Sequence, residues 1–424
     1  MTNNIANEPG VHLPWAGKMV RIEEIEDVLA SLWKMSVDNL RTGANIRVRT
    51  SVLNLIICAP DVETAQQASK ILRELSSTHL ARVIILILDS SENTPTAISA
   101  WVTLRCFSII SDLMRHCFEQ MTMLASGAAV RSVVNIIEPL LKPDLPIYLW
   151  WIGDPPGETD LIFKKLLDSC TRVMVDSTSF FQPEQDISTL ASLSQASPNC
   201  ALSDLNWGRL TPWRELLIQF FDVPQYRPYL SGVSSIEIEH AAAPLASAMR
   251  TERGDVSPNP TQALLLAGWL KARLGLSLTT DTTNNYRDSA SGTYLWKTEL
   301  MANVRTNRSL APSPARPTRS GNLVSISIRP RVNSEMRPGS ICLARLTCMV
   351  ENKQAIFTIS REDDPDYVLT SVELSQEMGP RRAVNLAAVH NQSELLRDEL
   401  EILGHDYPFE QTLQEVAGLL AEEY

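Results

Sequence analysis

The order of apolar and polar positions predicts alternating strands and helices in the first half of the chain. Residues 83–88 form a continuous apolar run, Val-Ile-Ile-Leu-Ile-Leu, which is typical of a strand covered on both faces. Apolar residues at helical spacing over 21–40 instead predict a helix that packs by one face. Strands are predicted at 48–58, 82–89, 97–107, 117–126, 146–152 and 172–176, and helices at 61–75, 127–141, 158–169 and 183–195. This alternation predicts an α/β domain with a mainly parallel sheet and helices on both faces.

The second half has a different pattern. Val324, Ile326 and Ile328 alternate with polar residues, which predicts a strand with one buried face. Further strands are predicted at 234–240, 340–350, 355–361 and 367–374, and helices at 211–222, 260–274, 380–403 and 408–422. In the helix at 211–222, Thr211 is the predicted N-cap and Pro212 the first helical residue. These elements predict an α+β domain with an antiparallel sheet.

The length of 424 residues favours two domains over one core. We predict a flexible N-terminus at 1–20, an α/β domain at 21–200 and an α+β domain at 201–424. Two polar segments of the second domain, 279–291 and 305–322, are predicted to be mobile loops.

Charge and hydropathy limit the classes of partner. The net charge is −11, which argues against a nucleic-acid-binding protein, because neutralising phosphates requires a surplus of Lys and Arg. No apolar run approaches the roughly 20 residues that cross a bilayer, so we predict no membrane association. The N-terminus has neither the basic start nor the apolar core of a signal peptide, which predicts a cytoplasmic protein.

The sequence contains few of the patterns that carry catalysis. It has no Gly-x-Gly-x-x-Gly after a strand, no phosphate-binding loop and no Gly-x-Ser-x-Gly. The six histidines stand alone, and the seven cysteines include no Cys-x-x-Cys, so neither a metal site nor a disulfide framework is predicted. Most cysteines are interpreted as buried thiols. We therefore predict no cofactor and interpret the chain as an interaction protein rather than an enzyme.

Two indoles and two guanidiniums come close together in residues 204–214. Trp207, Arg209, Trp213 and Arg214 are of the types that anchor protein interfaces, because rigid flat groups lose little entropy on burial. A helix face as apolar as this one also packs inward in many proteins. Both interpretations, a partner-binding segment and a core segment, are consistent with the sequence.

A second aromatic pair, Trp150 and Trp151, lies at the carboxyl end of a predicted parallel strand. Open α/β sheets place ligand sites at that end of their strands, so the pair marks a candidate pocket. Successive residues of a strand point to opposite faces, so at most one of the two would line it. Core packing is the alternative.

The run Asp-Leu-x-Trp-x-Arg-x-x-Pro-Trp-Arg at 204–214 resembles the OpcA family of glucose-6-phosphate dehydrogenase assembly proteins from cyanobacteria and actinobacteria. Residues 46–55, 148–151 and 172–177 are similar to that family too, and the resemblance covers nearly the whole chain. It implies a non-catalytic factor that binds glucose-6-phosphate dehydrogenase, promotes its active assembly and acts in the oxidative pentose phosphate pathway.

The resemblance also implies regulation through thioredoxin, with Cys342 and Cys348 as the redox pair. The residues between them contain no turn, so both cysteines are predicted on one strand, about 20 Å apart. A disulfide requires Cα atoms within about 7 Å, so a direct bond would need the strand to open. Pairing with another cysteine and two inert thiols remain as alternatives. The alternative function for the chain is a sugar-phosphate or nucleotide-sugar enzyme that uses the crevice of the α/β domain.

Overall fold

The computed structural model describes residues 17–38, 46–49, 51–75, 81–89, 94–108, 114–157, 160–242, 259–279, 285–289, 291–300, 322–333, 335–361, 366–375, 377–386, 391–402 and 404–421. The predicted flexible segment 1–20 is thus described only from residue 17, and most of the loop predicted at 305–322 lies outside the described residues. The loop predicted at 279–291 contains a short strand, given below.

Ten α-helices form in the described ranges: α1 Ile25–Asp38, α2 Val62–Leu75, α3 Val133–Ile137, α4 Leu161–Ser169, α5 Pro183–Ala196, α6 Leu205–Arg209, α7 Thr211–Asp222, α8 Thr261–Leu274, α9 Gln392–Glu401 and α10 Tyr407–Leu420. Side chains cap the first turns of two of these helices. Asp61 accepts a hydrogen bond from the backbone N–H of Thr64 in α2 at 2.7 Å, and Asn259 accepts one from that of Thr261 in α8 at 3.0 Å. Gly275, with φ +66°, ends α8.

The chain forms two compact units. The first contains residues 1–175, 197–202 and 392–404, and the second contains 176–196, 203–391 and 405–424. The chain therefore passes between units after residues 175, 196, 202, 391 and 404, instead of once near residue 200 as the single boundary in the sequence prediction has it.

The first sheet has nine strands: β1 Lys18–Val20, β2 Ile46–Arg49, β3 Leu53–Ala59, β4 Ala81–Asp89, β5 Ala97–Ser108, β6 Met114–Ser126, β7 Ile147–Trp151, β8 Arg172–Val175 and β9 Ala201–Asp204. Their order is β1-β5-β6-β4-β3-β7-β8-β9, and β2 pairs with β6. The strands from β6 to β8 are parallel to their neighbours, whereas β5 and β1 are antiparallel. Residues 81–87 of β4 are all buried, and β4 runs parallel to both of its neighbours, so the predicted doubly covered strand and the predicted mainly parallel sheet are both confirmed.

The second sheet also has nine strands: β10 Val233–Ala242, β11 Leu276–Leu278, β12 Tyr286–Asp288, β13 Thr293–Leu300, β14 Asn322–Val332, β15 Ile341–Val350, β16 Lys353–Ser360, β17 Tyr367–Leu374 and β18 Glu377–Asn385. Their order is β11-β13-β14-β10-β15-β16-β17-β18, with β12 beside β13. The predicted antiparallel sheet is confirmed, with one exception, since β10 and β14 run parallel.

Helices of the second unit cover one face of this sheet. Phe357 of β16 contacts the rings of Phe220 and Phe221 in α7, with centroids 5.4 and 4.8 Å apart. Trp296 of β13 donates a hydrogen bond to the carbonyl of Leu419 in α10 at 3.0 Å. Helices α8 and α10 approach closely at Gly268, where an added Cβ would meet the Thr412 carbonyl at 2.9 Å, so only glycine allows this contact.

Several predicted elements are wrong in detail. Residues 380–385, predicted as the start of a helix, belong to the edge strand β18, which pairs with β17. Its side chains are mostly exposed, so no alternation of apolar residues marks it as a strand. The strand predicted at 48–58 is two strands, β2 and β3, with a break between them. The helix predicted at 127–141 contains only five residues of α-helix, flanked by 3₁₀ turns.

Thr211 is not the N-cap of α7. An N-cap residue has an extended backbone, but Thr211 is the first residue of α7, and the short helix α6, which ends at Arg209, runs into it through Leu210, whose backbone is itself helical at φ −81° and ψ −12°. The side chain that caps a helix here is Asp204, seven residues before Thr211, and it caps α6.

Two cysteines form a disulfide that the sequence did not predict. Cys106 of β5 and Cys117 of β6 face each other across an antiparallel pair, with Cα atoms 4.1 Å apart. Cys117 follows Cys106 by 11 positions, and only the pairing register of the two strands brings them opposite each other. The other five, Cys58, Cys170, Cys200, Cys342 and Cys348, are free and buried, as predicted for most.

The described part of the chain contains no helix that is both long and apolar enough to span a bilayer.

Candidate functional site

The segment that begins at Asp204 is held by a buried network of hydrogen bonds. Asp204 is 1% exposed and ends β9. Its carboxyl group accepts hydrogen bonds from the backbone N–H of Asn206 at 2.9 Å and from the N–H and hydroxyl of Ser177 at 3.0 and 2.5 Å. Burial, followed by the nearby carboxylate of Asp176, raises the pKa of Asp204 to about 7. The network fixes where α6 starts and hence where the residues after it point.

Trp207 lies inside the second unit. It is 3% exposed, and its indole N–H donates to the carboxylate of Asp406 at 2.9 Å. Its ring contacts Phe409 on one side and lies 3.5 Å from the guanidinium of Arg214 on the other. The aromatic and cation–π contacts explain why this indole packs inward.

Arg209 forms a bidentate ion pair with Asp176. The two hydrogen bonds measure 2.7 and 2.8 Å, and the paired side chains are 9% and 12% exposed. Burial by itself would raise the pKa of Asp176, but the hydrogen bonds and charge of Arg209 outweigh it and lower the pKa. The two neighbouring carboxyls of Asp176 and Asp204 are therefore shifted in opposite directions.

Trp213 is also buried, at 2% exposed, and forms one wall of a cavity of about 200 Å³ within the second unit. The cavity, which we call the arginine cavity, is defined by Arg209, Trp213, Arg337 and Arg361 together with the amide side chains of Asn206, Asn259 and Gln262. With Thr178, which also lines it, five separate stretches of the chain converge here.

Arg361 has no carboxylate partner among the described residues. It is 4% exposed, follows β16, and its guanidinium lies 5.5 Å from the Trp213 ring. Within the ranges that the structure describes, its Nε atom has no hydrogen-bond partner. Burial lowers the pKa of Arg361, and a more distant attraction to Asp366 opposes that shift.

A tight turn holds Arg337 at the rim of the cavity. The backbone N–H of Ser340 donates to the carbonyl of Arg337 at 3.1 Å, Pro338 takes the second position, and Gly339 has φ +86°, which is the pattern of a type II turn. A Cβ on Gly339 would meet the Asn259 carbonyl at 2.5 Å, so this position requires glycine.

The amides of the cavity wall are already used by the protein. Gln262 donates to Asn206 at 2.8 Å and accepts from the backbone of Ile341 at 3.1 Å, while Asn259 donates to the carbonyl of Ser177 at 2.9 Å. These bonds make the wall rigid, because each amide is held at both ends. Among the lining side chains, donors therefore remain on Arg337 and Arg361.

The structure places the second aromatic pair elsewhere. Trp150 is 1% exposed and lies in the core of the first unit, and Trp151 donates to the carbonyl of Asp154 at 2.9 Å and packs edge-on against Phe163. Different residues line the arginine cavity. A pocket at this pair stays a prediction.

Cys342 and Cys348 both lie on β15, as the uninterrupted sequence between them predicted. Both are fully buried, and burial raises the pKa of their thiols, to about 11 for Cys342 and about 12 for Cys348. A thiol with such a pKa forms little thiolate near neutral pH and is a poor nucleophile.

Sequence reasoning found Arg209 and Trp213 but missed the other arginines of the cavity. Arg337 lies in Arg-Pro-Gly, which predicts a turn, and this signal could have drawn attention to its position. Arg361 follows a strand, and no pattern in the neighbouring sequence marks it as a site residue. The two meet the 204–214 segment only through tertiary packing.

Comparison with known proteins agrees with the resemblance in the 204–214 segment. Residues 72–192 match a family described as the glucose-6-phosphate dehydrogenase subunit N-terminal domain, and residues 200–413 match the corresponding C-terminal domain.

Proteins named OxPP cycle protein OpcA are among its relatives. The one from Synechocystis sp. is 35% identical over 37% of this chain and 30% of its own length. The one from Nostoc punctiforme is 34% identical over 48% of this chain and 40% of its own length. The matches thus span less than half the length of these relatives.

Among solved structures, a levoglucosan dehydrogenase in complex with NADH and levoglucosan is 10% identical, covers 87% of this chain and 96% of its own, and gives a TM-score of 0.45, which is too low to bear on activity. The family of the C-terminal domain alone matches 214 of 424 residues, and the chain belongs to the OpcA family of glucose-6-phosphate dehydrogenase assembly proteins.

Proposed function

We propose that this chain is a non-catalytic assembly factor and allosteric activator of glucose-6-phosphate dehydrogenase. The observation that carries the proposal is the match to both domains of a family described as a subunit of that enzyme. Activation then follows from binding: the chain must bind the active arrangement of the enzyme more tightly than the inactive one, and the difference limits the activation.

The outer side of α7 is the contact surface we propose. Trp207 and Trp213 are buried and would support a contact from beneath, Arg214 is partly exposed, and the Arg209 side chain is 9% exposed in its ion pair with Asp176. Ile218, which lies on α7 with Trp213 and Arg214, is 52% exposed at an open groove of about 310 Å³. The groove is lined mainly by apolar residues: Leu217, Phe221, Leu230, Trp269, Leu270, Leu274 and Leu346. An exposed apolar side chain beside an apolar groove suits a partner that offers an apolar anchor.

Titrating the chain into the dehydrogenase of the same organism at low glucose 6-phosphate tests this proposal. We expect a saturable fall in the apparent KM for glucose 6-phosphate. Changing Ile218 to Glu should weaken the apparent affinity by about tenfold or more, because a charge replaces an apolar anchor in the contact. The fold should survive, since the side chain is half exposed.

Leu161→Glu is the matched control. Leu161 is 73% exposed and lies on α4 in the first unit, whereas the proposed contact surface lies on α7 in the second unit. We expect this variant to activate like the unchanged chain. If the unchanged chain leaves the kinetics of the dehydrogenase unaltered at saturating concentration, the activator proposal is wrong. Equal effects of the two variants would instead reject α7 as the contact.

A thioredoxin link through Cys342 and Cys348 forms a further part of the proposal. Both thiols are buried on one strand, so a bond between them needs β15 to open. Non-reducing peptide mapping of the oxidised chain should yield a peptide that joins Cys342 to Cys348. The Cys106–Cys117 peptide serves as the internal reference. If the Cys106–Cys117 peptide is recovered and no peptide joins Cys342 to Cys348, the redox role proposed for Cys342 and Cys348 is wrong.

A further inference from the structure

We propose that the arginine cavity binds a small organic dianion, a phosphate monoester of the size of a sugar phosphate, without transforming it. The cavity lies within the second unit, and the proposal holds whether or not the chain binds a dehydrogenase.

The first argument is the buried charge of Arg361. Removing a guanidinium from water is costly unless a counter-charge and hydrogen-bond acceptors replace the water. In the described part of the chain the Nε of Arg361 lacks an acceptor, and Asp366 attracts the guanidinium without forming an ion pair with it. The face of Trp213 at 5.5 Å offers only a partial replacement. An anionic ligand in the cavity would supply the missing acceptor and charge.

The second argument is the balance of charge around the cavity. Of its three arginines, Arg209 is neutralised by the bidentate pair with Asp176. Arg337 donates to the neutral hydroxyl of Thr178 at 3.0 Å, and Arg361 has no paired carboxylate among the described residues. Three arginines and one ion-paired carboxylate, that of Asp176, leave an excess of positive charge at the cavity, which the attraction of Asp366 to Arg361 offsets only in part. A phosphate monoester carries close to two negative charges at neutral pH and accepts bidentate hydrogen bonds from guanidinium groups.

The third argument is size and wall composition. A volume of about 200 Å³ exceeds what an inorganic phosphate ion fills, so the anion should carry a further polar body. Trp213 offers a flat apolar surface to such a body, and the fixed amides of Asn206 and Gln262 form a polar wall. Because those amides are held at both ends, the cavity is preformed and binding requires little ordering.

Isothermal titration calorimetry on the full chain alone tests the proposal, with glucose 6-phosphate, glucose and inorganic phosphate as probes. We expect saturable binding of glucose 6-phosphate, no binding of glucose, and weaker binding of inorganic phosphate. Binding should weaken as salt is added, since the attraction is largely between charges.

Two variants assign the binding to the cavity. Arg337→Gln removes a charge at the exposed rim and should weaken binding by about tenfold, the range for a charge-assisted hydrogen bond. Arg361→Met should abolish it. Arg382→Gln is the control, because Arg382 is an exposed arginine of the edge strand β18. Ligand-induced protection against thermal unfolding provides a second readout for each variant and reveals any loss of fold.

Three outcomes would overturn the proposal: no anion binds, all three variants bind alike, or inorganic phosphate binds as tightly as glucose 6-phosphate. None of these results depends on the dehydrogenase, and a failure to activate the enzyme would leave the binding result intact. The two proposals are therefore tested separately.

Discussion

Replacing Asp204 with alanine is expected to lower the free energy of unfolding by about 3 kcal/mol at mildly acidic pH, measured by urea denaturation. The carboxyl group is 1% exposed and accepts three hydrogen bonds from Ser177 and Asn206. Alanine would leave the buried donors without an acceptor and would remove the N-cap of α6. A loss below about 1 kcal/mol would contradict the role given to this network.

The same carboxyl should make stability depend on pH. Burial raises the pKa of Asp204 to about 7, so the folded protein holds this proton more tightly than the unfolded chain. The stabilisation is then fully present below about pH 4 and is lost as the pH rises through about 7. A pKa that rises from 3.8 to about 7 on folding corresponds to about 4 kcal/mol.

Asp204→Asn isolates this effect, because the amide is close in shape and does not titrate. The free energy of unfolding should be measured for both proteins at about pH 4.5 and about pH 7.5. We expect the stability advantage of the unchanged chain over the variant to be larger at the lower pH and to shrink at the higher pH. Parallel stability profiles for the two proteins over that range would show that the pKa of Asp204 is not raised.

The sequence predicted elements best where local pattern and tertiary environment agree. The apolar run at 83–88 predicts a doubly covered strand, and the structure buries it as β4. In the helix predicted at 211–222, Trp213, Leu217 and Phe220 recur at helical spacing, and all three are buried in α7. In both cases the sequence period itself determines which side chains leave water.

Prediction failed where pairing with a distant strand decides the structure. Residues 380–385 carry two arginines and a proline and have no apolar alternation, yet they form the edge of the sheet because β17 offers unpaired backbone groups. Cys106 and Cys117 meet only through the register of β5 and β6. No pattern in the neighbouring sequence predicts either the edge strand or the disulfide.

The candidate site could be predicted only in part, for a related reason. Arg209 and Trp213 share one segment with a recognisable motif, so the sequence identified them together. Arg361 lies 148 residues downstream of Trp213 in the sequence. Its distinguishing feature is burial without a carboxylate partner among the described residues, and this feature exists only in the folded state. A cavity lined by several distant stretches is therefore found from the structure and not from spacing.

Replacing Arg209 with methionine is expected to lower the unfolding free energy by about 3 to 5 kcal/mol, because it leaves the carboxylate of Asp176 buried without its partner. The paired side chains are only 9% and 12% exposed, so water replaces the lost bonds poorly. Arg345→Met is the matched control: Arg345 pairs with Glu237 at 3.0 Å, but these side chains are 39% and 43% exposed. That variant should cost less than about 1 kcal/mol.

A double-mutant cycle with Asp176→Asn separates the ion pair from the packing of the arginine stem. We expect the double variant to be less destabilised than the sum of the single variants, since each single change leaves an unpaired charge that the double change removes. The pH dependence has the opposite sign to that of Asp204. Arg209 lowers the pKa of Asp176, so this stabilisation is present above the ordinary carboxyl pKa of 3.8 and is lost as the pH falls through the lower folded value. If Arg209→Met is no more destabilising than Arg345→Met, the buried pair does not stabilise the fold, and Arg209 would then be free to serve a ligand or a partner.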